Sequence, residues 1–254
     1  MDDVNTWPRP SFVEYMKDVE GKVLSPQSKR HMVYCDLNGK TSGECTMEID
    51  GEVKEGYWTV GYGHNLGKGS KAKNKFIKIN GEMVDVSKGI TSEQADWLLK
   101  KDIIAKTKIT AKNIEDKYPG KWDSWPTAKR EAMIDYTFNL GKNVTTAFKN
   151  LTQGMVDDDP IKIAGEFQRY TNVVRDSDGN ITSKKPLGRN KKWWKQFGES
   201  LTGIPYEDTD AIQSEVQWMK SQGMDTGLWA VAQPRPGGLW DVETDDEFKL
   251  AMRK

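Results

Sequence analysis

Sulfur and imidazole are scarce in this chain of 254 residues, which holds two cysteines, Cys35 and Cys45, and two histidines, His31 and His64. A zinc centre would have to use all four, and their spacing matches no recognised zinc pattern. Packing is their expected use, and no metal or cofactor is assigned. The two thiols could oppose one another across a hairpin, but synthesis in a reducing cytoplasm favours free thiols. Long apolar runs are also missing. Met1 to Thr6 is acidic, and no stretch reads as a signal peptide or a membrane-spanning helix. A product acting outside the cytoplasm would therefore need another carrier. Net charge is zero, with 38 basic and 38 acidic residues. The charge is uneven: 33 basic and 28 acidic residues lie in positions 1–200, against 5 and 10 beyond. A mildly basic body favours adsorption to anionic surfaces, and the tail is acidic. No internal repeat or low-complexity tract is present.

Aromatic residues are plentiful, with ten tryptophans among them. They suit both a filled core and sugar-stacking surfaces, and the core is the default for most. Helix signals are clear. Ser11-Phe12-Val13-Glu14 reads as a capping box, with Phe12, Met16 and Val19 on one face and Gly21 as the stop. Thr91-Ser92-Glu93-Gln94 opens a long second helix. Trp125-Pro126 starts a third, with Ala128, Ala132, Tyr136 and Leu140 as its apolar stripe and Gly141 at its end. Asp159-Pro160 opens another, with Ile161, Ala164, Phe167 and Tyr170 inward. Asp50-Gly51 is a hairpin dipeptide between β-formers. Residues 176–180 are acidic, but Val174 stands where a calcium loop needs its first oxygen ligand, so a polar turn is expected there. Beyond Ser200, Thr209 to Gln222 reads as an amphipathic helix, residues 233–238 as linker, and Thr244 to Glu247 as a terminal capping box.

Trp58-Thr59-Val60-Gly61-Tyr62-Gly63-His64 has little reason to exist as packing alone, because glycines around an aromatic weaken a strand and mark a close backbone approach. Upstream, Glu20-Gly21 closes a helix, and Tyr34-Cys35-Asp36 runs into a turn ending at Gly39. Glutamate, aspartate and threonine on a small β-element suit glycosidic cleavage. One acid protonates the bridging oxygen, a second carboxylate serves the opposite face, and a hydroxyl orients water. The negative helix end and partial burial would both raise the pKa of Glu20, as a general acid requires.

These residues resemble the active-site region of the phage T4-type lysozymes, glycoside hydrolase family 24. The resemblance rests on Glu20-Gly21, on Tyr34 with Asp36 and Gly39, and on Trp58 through His64. Ala132-Met133, Phe138-Asn139-Leu140-Gly141 and Pro186-Leu187-Gly188-Arg189 follow in family order, so the likeness spans roughly residues 10 to 200. The stretch Ser25 to Arg30 reads as an inserted loop, and the stretch between Asp36 and Thr59 as an enlarged hairpin.

The resemblance implies an α+β, predominantly helical, two-lobed fold, with a small β-lobe and a larger helical lobe flanking a cleft. It implies a muramidase cleaving the β-1,4 bond between N-acetylmuramic acid and N-acetylglucosamine, with inversion, in a bacteriolytic role. Glu20 is then the acid, Asp36 the second carboxylate and Thr59 the holder of water. Tyr34, Leu66, Phe138, Asn139 and Arg189 are the expected substrate contacts, with Arg189 pairing Glu20 or binding glycan or peptide. His64 is expected to be structural. Residues 1–200 form the lysozyme domain, and 201–254 an acidic extension that packs on the body or docks a virion or delivery protein. Peptidoglycan is the expected partner, with no nucleic acid and no membrane insertion. An endolysin made in the host cytoplasm and delivered to the wall is the first reading. The rivals are a virion-carried lysozyme that opens the wall during infection, and a catalytically silent lysozyme-like binding protein.

Overall fold

The computed structural model describes residues 7–49, 51–141, 144–175 and 181–223. The first helix, α1, spans Pro10–Glu20 and buries Phe12, Val13, Tyr15 and Met16. Its N-cap is Arg9, with no side-chain cap, so the expected box at Ser11 does not form. Pro10 is the reason. Its fixed φ suits the first helical position, which pulls Ser11 inside the helix. Gly21 ends the helix with φ 67°, as the sequence predicts.

The small lobe follows. Strands β1 (Tyr34–Cys35), β2 (Thr46–Ile49), β3 (Glu52–Glu55), β4 (Trp58–Val60) and β5 (His64–Gly67) form a three-stranded sheet in the order β1-β4-β5 and a separate hairpin, β2–β3. The hairpin closes at Ile49↔Glu52, in line with the Asp50-Gly51 signal, though Asp50 lies outside the described residues. In the sheet, Tyr34 faces Thr59, and Val60 faces His64. A short helix, α2 (Ser70–Lys73), leads to a further hairpin of β6 (Phe76–Ile79) and β7 (Glu82–Asp85).

Cys35 and Cys45 are bonded as a disulfide, which overturns the expectation of free thiols. The turn after β1 brings their Cα atoms to 5.2 Å, inside the range a disulfide spans. Local geometry decides the pairing, and an argument from the compartment of synthesis does not see it.

Helix α3 (Ser92–Lys117) connects the lobes. Its capping box forms as predicted: Thr91 Oγ1 accepts from Gln94 N at 3.2 Å, and Thr91 N donates to Gln94 Oε1 at 2.9 Å. Next come α4 (Lys121–Ser124) and α5 (Thr127–Leu140), the latter stopped at Gly141. Helix α5 departs from the predicted stripe. Ala132 and Tyr136 are buried, but Leu140 is 44 % exposed, while Lys129, Glu131, Asp135 and Thr137 are buried. The helix is enclosed nearly all round, so periodicity carries little information, and each buried charge has a partner. Arg9 Nε donates to Glu131 Oε1 at 2.8 Å, and Lys129 donates to Met155 O at 2.8 Å and pairs with Asp158.

Helices α6 (Val144–Ala147), α7 (Lys149–Asp157) and α8 (Pro160–Glu166) complete the middle of the large lobe. Asp159 caps α8 by accepting from Lys162 N at 2.9 Å, as its Asp-Pro start implies. Phe167 is inward, but Tyr170 begins a strand instead of extending the helical face. The pair β8 (Tyr170–Arg175) and β9 (Ile181–Pro186) flanks residues 176–180, where the polar turn is expected and which lie outside the described residues.

Helix α9 (Arg189–Trp193) runs through a π-helical turn, Trp194–Gly198, into α10 (Glu199–Thr202). Gly198 allows that turn, since a Cβ there would lie 2.4 Å from the Trp194 ring. Trp193 and Trp194 are fully buried, and their indole N–H groups donate to Ala132 O at 3.1 Å and Ile204 O at 2.9 Å. With Phe167, Phe197 and Phe12 they form an aromatic spine tying α1 to the C-terminal helices. The last described helix, α11 (Thr209–Ser221), buries Ile212, Val216 and Met219, the predicted face, against α8. The linker and the final capping box predicted beyond it lie outside the described residues. The whole is mainly helical with small antiparallel sheets, as the resemblance implies.

Candidate functional site

A cleft of about 660 Å³ opens between the lobes. The end of α1 supplies Glu20, the β-lobe Tyr34, Asp36, Thr59, Gly63, His64 and Asn65, and the helical lobe Asp102, Lys106, Phe138 and Asn139. Six of the eight residues expected at the site therefore line one wall or another of this cleft. Arg189 stands behind Glu20 and not in the lining. Leu66 is 3 % exposed and packs into the core; it falls where the β4–β5 register slips, between Gly67 opposite Trp58 and Asn65 opposite Thr59, so regular alternation does not hold there.

Glu20 and Asp36 occupy opposite environments. The Glu20 side chain is 14 % exposed, and Oε1 accepts a charge-assisted bond from Arg189 Nη1. Burial pushes the Glu20 carboxyl above its ordinary value; Arg189 pulls against that shift, and Asp135 adds to it. Its Oε2 faces Gly63, where a Cβ would stand 3.4 Å away. Gly63 also has φ +84°, so glycine serves both the backbone and the approach of the acid.

Asp36 is exposed in the turn after β1. Its Oδ1 accepts from Tyr57 N at 2.7 Å, and its own amide donates to Tyr57 O at 3.0 Å. Thr59 is 6 % exposed, and its hydroxyl donates to Tyr34 O at 3.3 Å. With the proton so directed, the lone pairs of Oγ1 are what it offers a molecule in the cleft.

His64 Nδ1 and Asp102 Oδ2 lie 2.7 Å apart and join β5 to α3 across the cleft floor. Lys106 has no ion pair among the described residues, and its ammonium sits 6.0 Å from the centroid of the Phe138 ring. The one cluster of potential metal ligands among the described residues is Cys35, Asp36 and Cys45, and its two sulfurs are bonded to each other.

Sequence reading missed the layer behind Glu20. Asp135, fully buried on α5, holds Arg189 and Arg169 together, and Tyr15 from α1 donates to it at 3.1 Å. The available signal was an aspartate inside a helix otherwise rich in core residues. It also missed Gly56, where a Cβ would lie 2.5 Å from Asp36 Oδ1 and 2.9 Å from Cys45 Sγ.

The phage lysozyme family model matches residues 44–184, more than half of the chain. The matched span contains Thr59, His64, Asp102, Phe138 and Asn139, and begins after Glu20 and Asp36. No curated protein matches the sequence.

Proposed function

The chain belongs to the phage lysozyme family, a family of peptidoglycan-hydrolysing enzymes, and from that premise we propose that this cleft is a muramidase site acting by acid–base catalysis. Glu20 donates its proton to the bridging oxygen of the β-1,4 bond between N-acetylmuramic acid and N-acetylglucosamine. A water molecule attacks the anomeric carbon from the opposite face, and Asp36 takes its proton, so the product configuration inverts. Thr59 Oγ1, its own proton committed to Tyr34 O, accepts one hydrogen of that water and turns its lone pair toward the sugar. Phe138 and Asn139 supply a stacking and hydrogen-bonding wall for the glycan.

One observation carries this reading. Two carboxylates face one cleft, Glu20 buried with its pKa raised and Asp36 exposed under a backbone donor. A carboxyl group buried and held protonated beside an exposed carboxylate in the same cleft divides the roles of acid and base. The disulfide beside Asp36 fits an enzyme that works at the wall, outside the reducing cytoplasm, and we take host lysis as its role.

The test is clearing of purified peptidoglycan by the wild type, Glu20→Gln and Asp36→Asn, with the anomeric form of the released reducing end read by NMR. Glu20→Gln should lower the rate by about 10²–10⁴-fold, and the wild-type product should be the α-anomer. Equal clearing by Glu20→Gln would remove the acid from Glu20, and a β-anomer would replace inversion with retention.

A further inference from the structure

We propose that Asp135 is a positioning residue for this reaction: by occupying the Nε edge of Arg189 it confines that guanidinium to a single contact with Glu20, so that Glu20 can keep the proton it must donate. The proposal rests on the reading of Glu20 as the acid.

The geometry is that of a fixed clamp. Asp135 Oδ1 accepts from Arg189 Nε at 3.0 Å and also from its Nη2, while Oδ2 accepts from Arg169 Nη1 at 2.6 Å. Arg169 cannot turn away to release it. Its backbone amide donates to Asn190 Oδ1 at 3.0 Å, its carbonyl accepts from Asn190 Nδ2 at 2.8 Å, and its guanidinium lies 4.4 Å from the Tyr136 ring centroid. Arg169 Nη2 has no acceptor among the described residues, so Asp135 is the one anion it meets. Tyr15 donates a further hydrogen bond to Asp135 from α1, the helix that carries Glu20.

A guanidinium can grip a carboxylate with two parallel bonds, and such a grip holds the carboxylate ionised. Here the paired edge of Arg189 is spent on Asp135, and Glu20 receives Nη1 alone. The charges agree with this. Arg189 and Arg169 place two cations behind Glu20, and Asp135 is the anion between them. Without it, both cations would act on Glu20 unopposed. The other titrating groups that face Glu20 are Tyr34 on β1 and, around the cleft, Asp36, His64, Asp102 and Lys106. None of these contacts Arg189.

The direction of the effect follows. An acid catalyst works below its pKa, and activity falls as pH rises through that value. Removing the anion stabilises ionised Glu20, so the alkaline limb of the pH profile should move to lower pH. We would measure kcat/KM against pH on soluble peptidoglycan fragments for the wild type, D135N, the charge-balanced pair D135N/R169Q, and E20Q. D135N should shift the alkaline limb down by roughly one pH unit, with about tenfold lower activity above the limb. D135N/R169Q should shift it down by less, since the Arg169 cation is removed as well, and both should retain turnover on the acid side. Refolding yield and urea midpoint are recorded for each. An unmoved limb in folded D135N and D135N/R169Q overturns the proposal. So does the failure of both variants to fold, since Asp135 would then serve stability alone. E20Q separates the two claims: full activity in E20Q sinks the assignment of the acid itself, whatever Asp135 does.

Discussion

Asp36 and Tyr57 exchange two hydrogen bonds, Asp36 N to Tyr57 O at 3.0 Å and Tyr57 N to Asp36 Oδ1 at 2.7 Å. The carboxylate of the turn after β1 is thus registered against the chain entering β4, and only a residue without a side chain fits beside it. Gly56 is that residue, since a Cβ would stand 2.5 Å from Asp36 Oδ1 and 2.7 Å from Leu37 Cγ. Gly56→Ala must displace Asp36. The expected cost is about 1–3 kcal/mol in stability and a fall of roughly 10²-fold in kcat/KM, the scale of a misplaced catalytic group. Urea midpoints and clearing rates measure the two. Wild-type turnover in this variant would mean that the position of Asp36 is not critical.

The disulfide acts on the same turn. Cys35 precedes Asp36 directly, and Cys45 touches the space around Gly56. Closing a loop with a sequence separation of 10 restricts the unfolded chain by about 2–3 kcal/mol. Cys35→Ser with Cys45→Ser should lose that amount in urea unfolding, and its activity should fall with it because Asp36 loses its anchor. The wild type in excess dithiothreitol should behave like the double variant. If reduction lowers the urea midpoint and leaves clearing untouched, the bond serves the lobe and not the site.

Burial raises the folded-state pKa of Glu20 above its unfolded value. A raised carboxyl binds its proton more tightly in the folded chain, so its contribution is fully present below the unfolded pKa and is lost as pH rises through the folded one. Ionised Glu20 is then a burden at neutral pH. Glu20→Gln keeps the shape and removes the charge, while Arg189 stays paired with Asp135. The variant should be more stable than the wild type at pH 7, with the difference shrinking toward pH 4. Paired urea titrations at the two pH values check the sign. A variant less stable at pH 7 would show that the Arg189 contact outweighs desolvation.

His64 and Asp102 join the small lobe to α3 through one contact at 2.7 Å, with side chains 20 % and 23 % exposed. Solvent screens a pair so placed, and a coupling of about 1 kcal/mol is expected. A double-mutant cycle with His64→Ala and Asp102→Ala measures it. No coupling would reduce this pair to neighbours.

How far the sequence carried depended on how local each signal was. The box at Thr91 and Gln94 is read within four residues and forms as written. The box at Ser11 fails for an equally local reason, since Pro10 takes the first helical position. Helix α5 shows the limit of periodicity. A helix enclosed on nearly all sides has no polar face to reveal it, and Leu140 falls outside while Asp135 falls inside. Arg189 and Glu20 are 169 residues apart, and no propensity links them. Family order brought them to one site, but it gave no sign of Asp135, whose role depends on where Arg169 lands. Leu66 is expected in the cleft by likeness alone, and the register slip between β4 and β5 leaves it in the core.

Helix α11 tests where the body ends. Gly165 on α8 has no room for a side chain, because a Cβ would stand 2.8 Å from Val216 Cγ2 on α11. Ile212, Val216 and Met219 are buried along that contact, and Trp194 donates to Ile204 O. A chain cut after Ser200 therefore removes the cover from α8 and the acceptor from a buried indole. Large-to-small changes at single core sites of this kind cost about 2–5 kcal/mol each, and several are lost at once. The truncated chain should show a sharply lower urea midpoint or fail to refold, with activity lost in parallel. Gly165→Ala in the full chain isolates the contact and should cost about 1–3 kcal/mol with kcat/KM unchanged, since α8 lies outside the cleft lining. A truncated chain with the wild-type midpoint would place the boundary of the folded body at residue 200.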